Sequence, residues 1–322
     1  MTQRNVLVTG GAGFIGANLC RVLVGRGHNV SVLDDLSTGT LANLENLPAV
    51  KCHIGSILDR DTVNALVTDV DAVVHLAARP SVPRSIADPM KSHDVNVNGT
   101  MNVLEACRAS AKSPHFMFAS SSSVYGSNPV LPKHEDLVPM PKSPYAASKL
   151  AAESYALAYA SSYRLAVLPF RFFNVYGPLQ QAGHAYAAVV PAFVAAALAG
   201  QPLPVHGDGT QTRDFTYVDT VAAVISTAIE ERICSDRPVN LAFGTRSSLL
   251  DVIERMGQIM GLSLTCEFQP IRAGDVRDSQ ADNTRLRGLF PNVVPVALEI
   301  GLRSVIDWMT DSLNDSVSAE LS

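Results

Sequence analysis

The stretch Val6-Leu7-Val8-Thr9-Gly10-Gly11-Ala12-Gly13-Phe14-Ile15-Gly16 predicts a β-strand that passes through a tight glycine turn into an α-helix. Gly10 can adopt the positive φ that the turn requires, Gly13 leaves the backbone open to a pyrophosphate, and Gly16 allows close packing of helix and strand. The first turn of such a helix presents backbone N–H groups and a partial positive charge. The stretch therefore predicts a phosphate cradle.

A second β-branched run, Asn29–Asp34, ends in an acid at the spacing where dinucleotide-binding folds place the carboxylate that binds the adenosine ribose. Asp35 follows it directly. A carboxylate at this position repels a 2′-phosphate, so the predicted cofactor is NAD rather than NADP. The alternative, glycines in a structural turn and aspartates that cap a loop, accounts for each feature but less well for their combination.

Bulk composition is that of an ordinary soluble globular protein, with 322 residues, 47% hydrophobic and 17% charged. A net charge of -5 and the lack of any Lys/Arg run give no support to nucleic-acid binding. The five cysteines lack C-x-x-C spacing, so neither disulfides nor a metal site is indicated. We expect a cytoplasmic protein without a membrane span, because no signal peptide precedes the first strand and the most apolar window, 185–199, is too short to cross a bilayer.

From the N-terminus, β-branched runs alternate with helical patterns. Strands are predicted at Asn5–Thr9, Asn29–Asp34, around residue 53, and at 72–76, 116–119 and 165–170, and helices at 14–26, 59–67, 93–109 and 145–161. This alternation predicts an α/β fold, a Rossmann-type doubly wound parallel sheet with helices on both faces. We expect residues 1–172 to form an NAD-binding domain and residues 173–322 mainly a smaller α/β substrate domain, with about 214–245 returning to the first.

Tyr145 and Lys149 lie four residues apart on a predicted helix and therefore share one face. A tyrosine with its usual pKa of about 10 is a poor base at neutral pH, but a nearby Lys⁺ and a positive nicotinamide lower that pKa. The serine run 120–123 follows a predicted strand and supplies a hydroxyl that can share a proton with the substrate oxygen. A lone Tyr-x-x-x-Lys is more often a core aromatic beside a solvated lysine, but behind a dinucleotide fingerprint the functional interpretation is favoured.

Several segments together resemble one known family. They are 9–16, 75–78, 96–100, 120–126, 145–149, 171–177, 207–209 with 213–215, and 272–275. The chain resembles the extended short-chain dehydrogenase/reductase family over nearly its whole length. Within that family it is similar to the nucleotide-sugar 4-epimerases typified by UDP-galactose 4-epimerase.

This resemblance implies that Tyr145 is the base, Lys149 its electrostatic partner and Ser121 the hydroxyl of the triad, with Ser122 as the alternative. The implied NAD-binding residues are Gly10, Gly13, Phe14, Ile15, Gly16, Asp34, Asp35, Ser37, Thr38, Gly39, Ser56, Ile57, Leu76, Ala77 and Ala78, together with Tyr145 and Lys149. The implied substrate-binding residues are Ser81, Arg84, Ser122, Ser123, Tyr145, Asn174, Val190, Arg213, Arg272 and Asp275. Among these, Asn174 resembles the residue that bonds the substrate diphosphate, and Arg213, Arg272 and Asp275 resemble the clamps on diphosphate and uridine ribose. Ser56 departs from the family, because many relatives have an aspartate beside the adenine there.

The reaction implied is 4-epimerisation of a UDP-hexose through a 4-keto intermediate. Related dehydratases and decarboxylases place carboxylates directly before Val-Tyr-Gly, where this chain has Ser122-Ser123. Two alternatives stay open: a dehydratase that works through His134 or Glu135, and a catalytically silent NAD-binding protein.

The sugar is not determined by the sequence. Ser279 lies where the family has a residue whose bulk limits the sugar pocket, and a small side chain there leaves room for an N-acetyl group. Arg79, Arg84 and His184 are the candidate cations for a C6 carboxylate. UDP-glucose, UDP-glucuronate and UDP-N-acetylglucosamine therefore all remain candidates. We also expect a homodimer, in which the helices at 93–109 and 145–161 pair into a four-helix bundle.

Overall fold

The structure is a computed structural model that describes residues 2–182, 188–271 and 277–320. Its strands are β1 (Asn5–Thr9), β2 (Asn29–Asp34), β3 (Lys51–Ile54), β4 (Ala72–His75), β5 (His115–Ser121), β6 (Val167–Phe172), β7 (Asn174–Tyr176), β8 (Leu203–His206), β9 (Thr212–Arg213), β10 (Phe215–Tyr217), β11 (Val239–Leu241), β12 (Ser247–Ser248) and β13 (Cys266–Gln269).

The α-helices are α1 (Phe14–Gly25), α2 (Arg60–Val67), α3 (Val82–Ala87), α4 (Pro89–His93), α5 (Thr100–Ala109), α6 (Pro144–Tyr163), α7 (Val189–Leu198), α8 (Val218–Glu231), α9 (Leu249–Met260), α10 (Thr284–Leu289) and α11 (Leu298–Glu320). Short 3₁₀ turns cover Leu41–Leu44 and Ser122–Tyr125, and a π-helical segment covers Asp94–Gly99.

A seven-stranded parallel sheet with strand order β11-β6-β5-β4-β1-β2-β3 forms the centre of the molecule. Val8, Val32 and Val74 in its middle strands are essentially inaccessible to solvent, because helices cover both faces. The strand order reverses between β1 and β4, which opens the crevice where ligands bind in doubly wound sheets. The Rossmann-type fold predicted from the sequence is therefore confirmed.

The chain after β6 builds a second, smaller core. Three two-stranded sheets, β7 with β10, β8 with β13 and β9 with β12, surround buried side chains that include Tyr176, Phe193, Val252 and Leu302. Between them the chain returns to the large sheet, where α8 packs against α1 and β11 pairs with β6. The crevice between the two cores lies at the carboxyl ends of the parallel strands.

The helix predicted at 93–109 differs in detail from the observed one. α4 runs directly into the π-helical segment Asp94–Gly99, and the α-helical form resumes in α5. Gly99 lies against Ile57, where an added Cβ would come within 2.5 Å of the Ile57 Cδ1 atom. Within the described ranges, none of the helices has both the length and the apolar character needed to cross a membrane.

Candidate active site

The glycine turn between β1 and α1 forms a cradle in which a larger side chain would clash at several positions. Gly10 has φ +73°, and an added Cβ would lie 2.7 Å from the backbone nitrogen of Ala77. At Gly16 a Cβ would lie 2.3 Å from the Gly10 oxygen, and at Gly39 it would lie 2.7 Å from the Ala12 carbonyl carbon. No side chain caps the start of α1 and no acid lies in its first turn. The helix N-terminus can therefore accept the diphosphate of a dinucleotide.

Asp34 fixes the tip of β2 to this cradle. Its side chain is 7% exposed, and it accepts backbone hydrogen bonds from Ala12 and Leu36, each 2.9 Å long. Burial raises the pKa of Asp34, and the hydrogen bonds from the two N–H donors lower it in part. Each carboxylate oxygen keeps a further lone pair for a ribose hydroxyl. Asp35 is exposed and its carboxylate accepts from the Ser37 N–H (3.0 Å).

The other residues expected at the cofactor follow the carboxyl ends of β1 to β4. Thr38 is exposed, and Ser56 is half-buried and accepts from the Leu58 N–H (3.2 Å). The Ile57 side chain is 4% exposed and belongs to the core, so a cofactor contact is left to its backbone. The Leu76 N–H donates to the Thr9 carbonyl (3.0 Å) and the Ala77 N–H donates to the Thr9 hydroxyl (3.3 Å). Phe14, Ile15 and Ala78 are half-buried and complete the set.

Ser121 and Tyr145 meet where β5 ends and α6 begins. Burial raises the pKa of the Tyr145 phenol, and a hydrogen bond with the Ser121 hydroxyl acts in the opposite direction. The Ser121 oxygen also accepts from the backbone N–H and the hydroxyl of Ser123 (3.2 and 2.9 Å). With both of those donors directed at it, the Ser121 hydroxyl is free to donate to Tyr145. The structure thus brings Ser121, rather than Ser122, to the phenol.

Lys149 lies one helical turn further along α6 and is 4% exposed. Its Nζ atom lies 5.0 Å from the centre of the Phe118 ring. Burial lowers the pKa of Lys149 to about 7. The phenol and the amine therefore share one face of α6, the helix that packs against β5.

A network that the sequence analysis did not find holds this face in place. The Asn96 side chain accepts from the Arg79 N–H (2.7 Å) and donates to the Ser148 hydroxyl (2.9 Å), which in turn donates to the Tyr145 carbonyl (2.8 Å). His75 bridges Thr9 and Thr100 (2.7 and 3.0 Å), and burial lowers its pKa to about 3. The segments 75–78 and 96–100 were the sequence signals for these contacts.

A cleft of about 390 Å³ opens in the part of the chain that follows β6, and it is lined by residues between 173 and 249. Its lining contains three of the residues expected at the substrate, Asn174, Val190 and Arg213. The Arg213 Nη1 atom donates to the carbonyl oxygens of Thr212 and Arg277 (2.9 and 3.0 Å), which orients the guanidinium. Arg272 and Asp275, the other two expected clamps, lie outside the described residues.

Asp214 was also missed by the sequence analysis. Its hydrogen bonds connect several segments of the chain close to Asn174. It is fully buried, and it accepts from the backbone of Gly244 and Ala281 (both 3.0 Å) and from the Thr245 hydroxyl (2.9 Å). Its carbonyl accepts from the Asn174 N–H (3.2 Å). Burial raises the pKa of Asp214 to about 6.

Of the three cations considered for a C6 carboxylate, Arg79 is already engaged. Its Nη1 atom lies 2.9 Å from the Asp88 carbonyl oxygen and 3.1 Å from the Asp88 carboxylate. Its charge is therefore paired with Asp88 within the same loop. Arg84 is half-buried on α3, where its N–H donates to the Ser81 hydroxyl (3.4 Å). Ser81 has φ +95°, a strained conformation for serine. His184 lies outside the described residues.

Glu135, one of the acids considered for a dehydratase, is 8% exposed and has its partners in the interior of the protein. It accepts from the Asn240 N–H (2.8 Å) and lies 3.7 Å from Arg285. Among the residues that the structure describes, no cluster of His, Cys, Asp or Glu side chains could hold a metal ion.

Comparisons with known proteins identify the family of the chain. The profile of the NAD dependent epimerase/dehydratase family matches residues 6–242. The chain is 38% identical over 306 residues to the UDP-glucose 4-epimerase of Mycolicibacterium smegmatis, covering 94% of this chain and 97% of that one.

Two solved structures show the same architecture. A UDP-N-acetylglucosamine 4-epimerase from Methanobrevibacter ruminantium, in complex with UDP-N-acetylmuramic acid, has a TM-score of 0.91 and 33% identity and covers 97% of this chain and 100% of its own. A UDP-glucuronic acid 4-epimerase from Bacillus cereus, in complex with UDP-glucuronic acid and NAD, has a TM-score of 0.87 and 31% identity, covering 95% and 99%. The chain therefore belongs to the NAD-dependent epimerase/dehydratase family.

Proposed function

We propose that this protein is an NAD-dependent 4-epimerase that interconverts the C4 epimers of a UDP-hexose through a 4-keto intermediate. The observation that carries the proposal is the approach of the Ser121 hydroxyl, at the end of β5, to the Tyr145 phenol, with Lys149 one helical turn further along the same face of α6. Residues 1–172 form the NAD-binding domain in this proposal, and most of residues 173–322 bind the UDP-sugar.

Tyr145 takes the proton from the C4 hydroxyl, and Ser121 bridges the phenol and that oxygen. A protonated Lys149 stabilises the phenolate by its charge. When bound, NAD would supply the group that accepts a hydride from C4 and gives it back, so the reaction would cause no net oxidation. Gly10, Gly16 and Asp34 hold the cofactor at its diphosphate and ribose.

A reaction that ends in elimination or decarboxylation needs a further acid or base beside the sugar. Ser122 and Ser123, which occupy the turn before Tyr125, carry no carboxylate. Glu135 is committed to Asn240 and Arg285. Epimerisation needs no such group, so the residues present favour it over the dehydratase alternative.

The nucleotide of the substrate fits the cleft lined by Asn174, Val190 and Arg213, since a guanidinium matches phosphate oxygens in pairs. Arg272 and Asp275 complete the clamp in this proposal. The relatives are named for UDP-glucose, UDP-N-acetylglucosamine and UDP-glucuronic acid. These three UDP-sugars are the substrates to test, with Ser279 and Arg84 as residues that affect the choice.

We further propose a homodimer in the cytoplasm. Tyr155 and Tyr163 on α6 are 44% and 54% exposed, and such large side chains on an outer helix face favour pairing with the same helices of a second copy. Sedimentation of the protein at micromolar concentration tests this, and a monomer alone would contradict it.

The decisive experiment incubates the purified protein with each of the three UDP-sugars and no added NAD, and follows the products by proton NMR. We expect the C4 epimer of at least one sugar. Absence of every epimer from an NAD-loaded protein would refute the proposal. Running the reaction in D₂O separates the dehydratase alternative, because elimination exchanges the C5 proton and epimerisation does not.

A further inference from the structure

A buried ion pair behind the proposed site has no part in the chemistry described so far. Glu153 and Arg171 are 2% and 3% exposed. Arg171 donates from Nη2 to Glu153 Oε1 (2.7 Å) and from Nε to Glu153 Oε2 (3.0 Å). The second carboxylate oxygen also accepts from the Ser120 hydroxyl (2.6 Å). Burying two charges is costly, and only a well-bonded geometry such as this offsets the cost.

Glu153 belongs to the same helix face as the proposed catalytic groups. It lies four residues after Lys149 and eight after Tyr145 on α6, so the three side chains follow one another along that face. The rise from Tyr145 to Glu153 is about 12 Å. The ion pair therefore holds α6 against the sheet at a point two turns from the phenol.

The partners of Glu153 belong to the strand that carries Ser121 and to its neighbour. Ser120 and Arg171 are paired in register across β5 and β6, and Ser121 is the residue directly after Ser120. One carboxylate of α6 thus contacts the adjacent ends of two strands.

Arg171 also contacts the segments that follow Ser121. Its guanidinium lies 4.7 Å from the centre of the Tyr125 ring, and its Nη1 atom donates to the Glu135 carbonyl (3.3 Å). The Tyr125 hydroxyl donates to Asn240 Oδ1 (2.7 Å). Both ends of the serine turn are thereby tied to the same guanidinium, directly or through Ser120 and Glu153.

We infer that Glu153 and Arg171 are positioning residues, whose ion pair sets the placement of α6 on β5 and thereby the alignment of the Tyr145 phenol with the Ser121 hydroxyl. The inference rests on the proposed function for its meaning in catalysis. Its structural content, the dependence of the Tyr145–Ser121 hydrogen bond on Glu153, can be tested without any sugar.

The test compares Glu153→Gln with Glu230→Gln in NAD-loaded protein. Glu230 is a matched control, since it is also paired with an arginine, Arg26 (3.1 Å), at the far ends of α1 and α8. We expect Glu153→Gln to lower kcat by about 10- to 100-fold, because misplacement of reacting groups by about 1 Å costs that much. The KM for the UDP-sugar changes by less than about twofold, since the nucleotide cleft is untouched. Glu230→Gln keeps both constants.

The pH profile distinguishes a positioning role from a merely structural one. Loss of the Ser121 hydrogen bond raises the pKa of Tyr145, so the limb of kcat that rises with pH moves to higher pH in Glu153→Gln and stays in place in Glu230→Gln. The same shift is measured without substrate from the near-ultraviolet absorbance of the phenolate, taken as a difference against Tyr145→Phe.

Two further variants test the inference if Glu153→Gln folds poorly. Ser120→Ala leaves the ion pair intact and removes one hydrogen bond to β5, so we expect a smaller loss of kcat in the same direction. The double variant Glu153→Leu/Arg171→Met removes both charges. We expect it to restore the stability of the fold but not the wild-type pKa of Tyr145. If these variants retain the wild-type kcat and the wild-type titration of Tyr145, the inference is wrong. An inactive wild type would refute the proposed function, whereas the phenolate titration would still decide the inference.

Discussion

The Lys149 Nζ atom lies 5.0 Å from the centre of the Phe118 ring, in a position that is 4% exposed. The aromatic face attracts the ammonium but does not replace the water it loses, so burial still lowers the pKa of Lys149 to about 7. Because an exposed lysine titrates at about 10.4, the unfolded chain binds more protons than the folded protein between about pH 7 and pH 10. The stability of the cofactor-free protein must therefore rise with pH in that window.

We expect the free energy of unfolding of the NAD-free protein to gain about 1 kcal/mol per pH unit from this lysine between about pH 7 and pH 10. Below about pH 7 the charged amine destabilises the fold in full, so Lys149→Met is most stabilising there, and its advantage shrinks as pH rises. Urea unfolding of both proteins across this range measures the difference. A pH-independent difference would show that Lys149 titrates normally.

Tyr145→Phe should lower the rate of epimerisation by about 10²–10⁴-fold, the usual contribution of a general base. The UDP affinity should not change, because the cleft around Asn174 and Arg213 is separate from the phenol. Tyr155→Phe is the matched control, since Tyr155 lies on the same helix and is 44% exposed. NMR rates and calorimetric UDP binding check both. Equal loss in the two variants would contradict the role of Tyr145.

Gly16→Ala should abolish retention of NAD, because the new methyl group would lie 2.3 Å from the Gly10 carbonyl oxygen and deform the cradle. Gly25→Ala lies at the end of the same helix, where no atom lies within 4 Å of the new Cβ, and should keep its cofactor. That control should gain up to about 1 kcal/mol of stability from the helix propensity of alanine. Cofactor content after purification, measured by nucleotide release, tests the pair. Full NAD retention by Gly16→Ala would argue against this cradle as the diphosphate site.

Asp34→Asn should weaken NAD binding about tenfold, the value of one or two charged hydrogen bonds. It should also narrow the preference for NAD over NADP, because the repulsion of a 2′-phosphate is removed. Asp35→Asn changes the neighbouring exposed carboxylate and should leave the preference unchanged. Binding of both dinucleotides to cofactor-stripped protein measures the ratio. If Asp35→Asn alters the ratio and Asp34→Asn does not, the assignment of the ribose acid is wrong.

Local sequence patterns were sufficient for much of the large sheet. β1 and β2 coincide with their predicted ranges, and α1 and α6 differ by only one or two residues at each end, because hydrophobic periodicity and glycine act over a few residues. The short helices α3 and α4 were not predicted, since six and five residues are too few to show a helical period. The π-helical segment Asp94–Gly99 was not predicted either, because hydrophobic periodicity does not distinguish a short π-helical stretch from the α-helix around it.

The sequence by itself predicted the glycine turn, an acid at the end of β2 and the Tyr145–Lys149 pair on one helix face, because each depends on spacing within one or two adjacent elements. Only the tertiary structure decided that Ser121 rather than Ser122 meets Tyr145, that Arg79 is held by Asp88, and that Glu153 is bonded to Arg171. These contacts depend on how each strand end is rotated and on how α6 lies across β5 and β6. Both are set by packing between residues far apart in the chain, which no local pattern records.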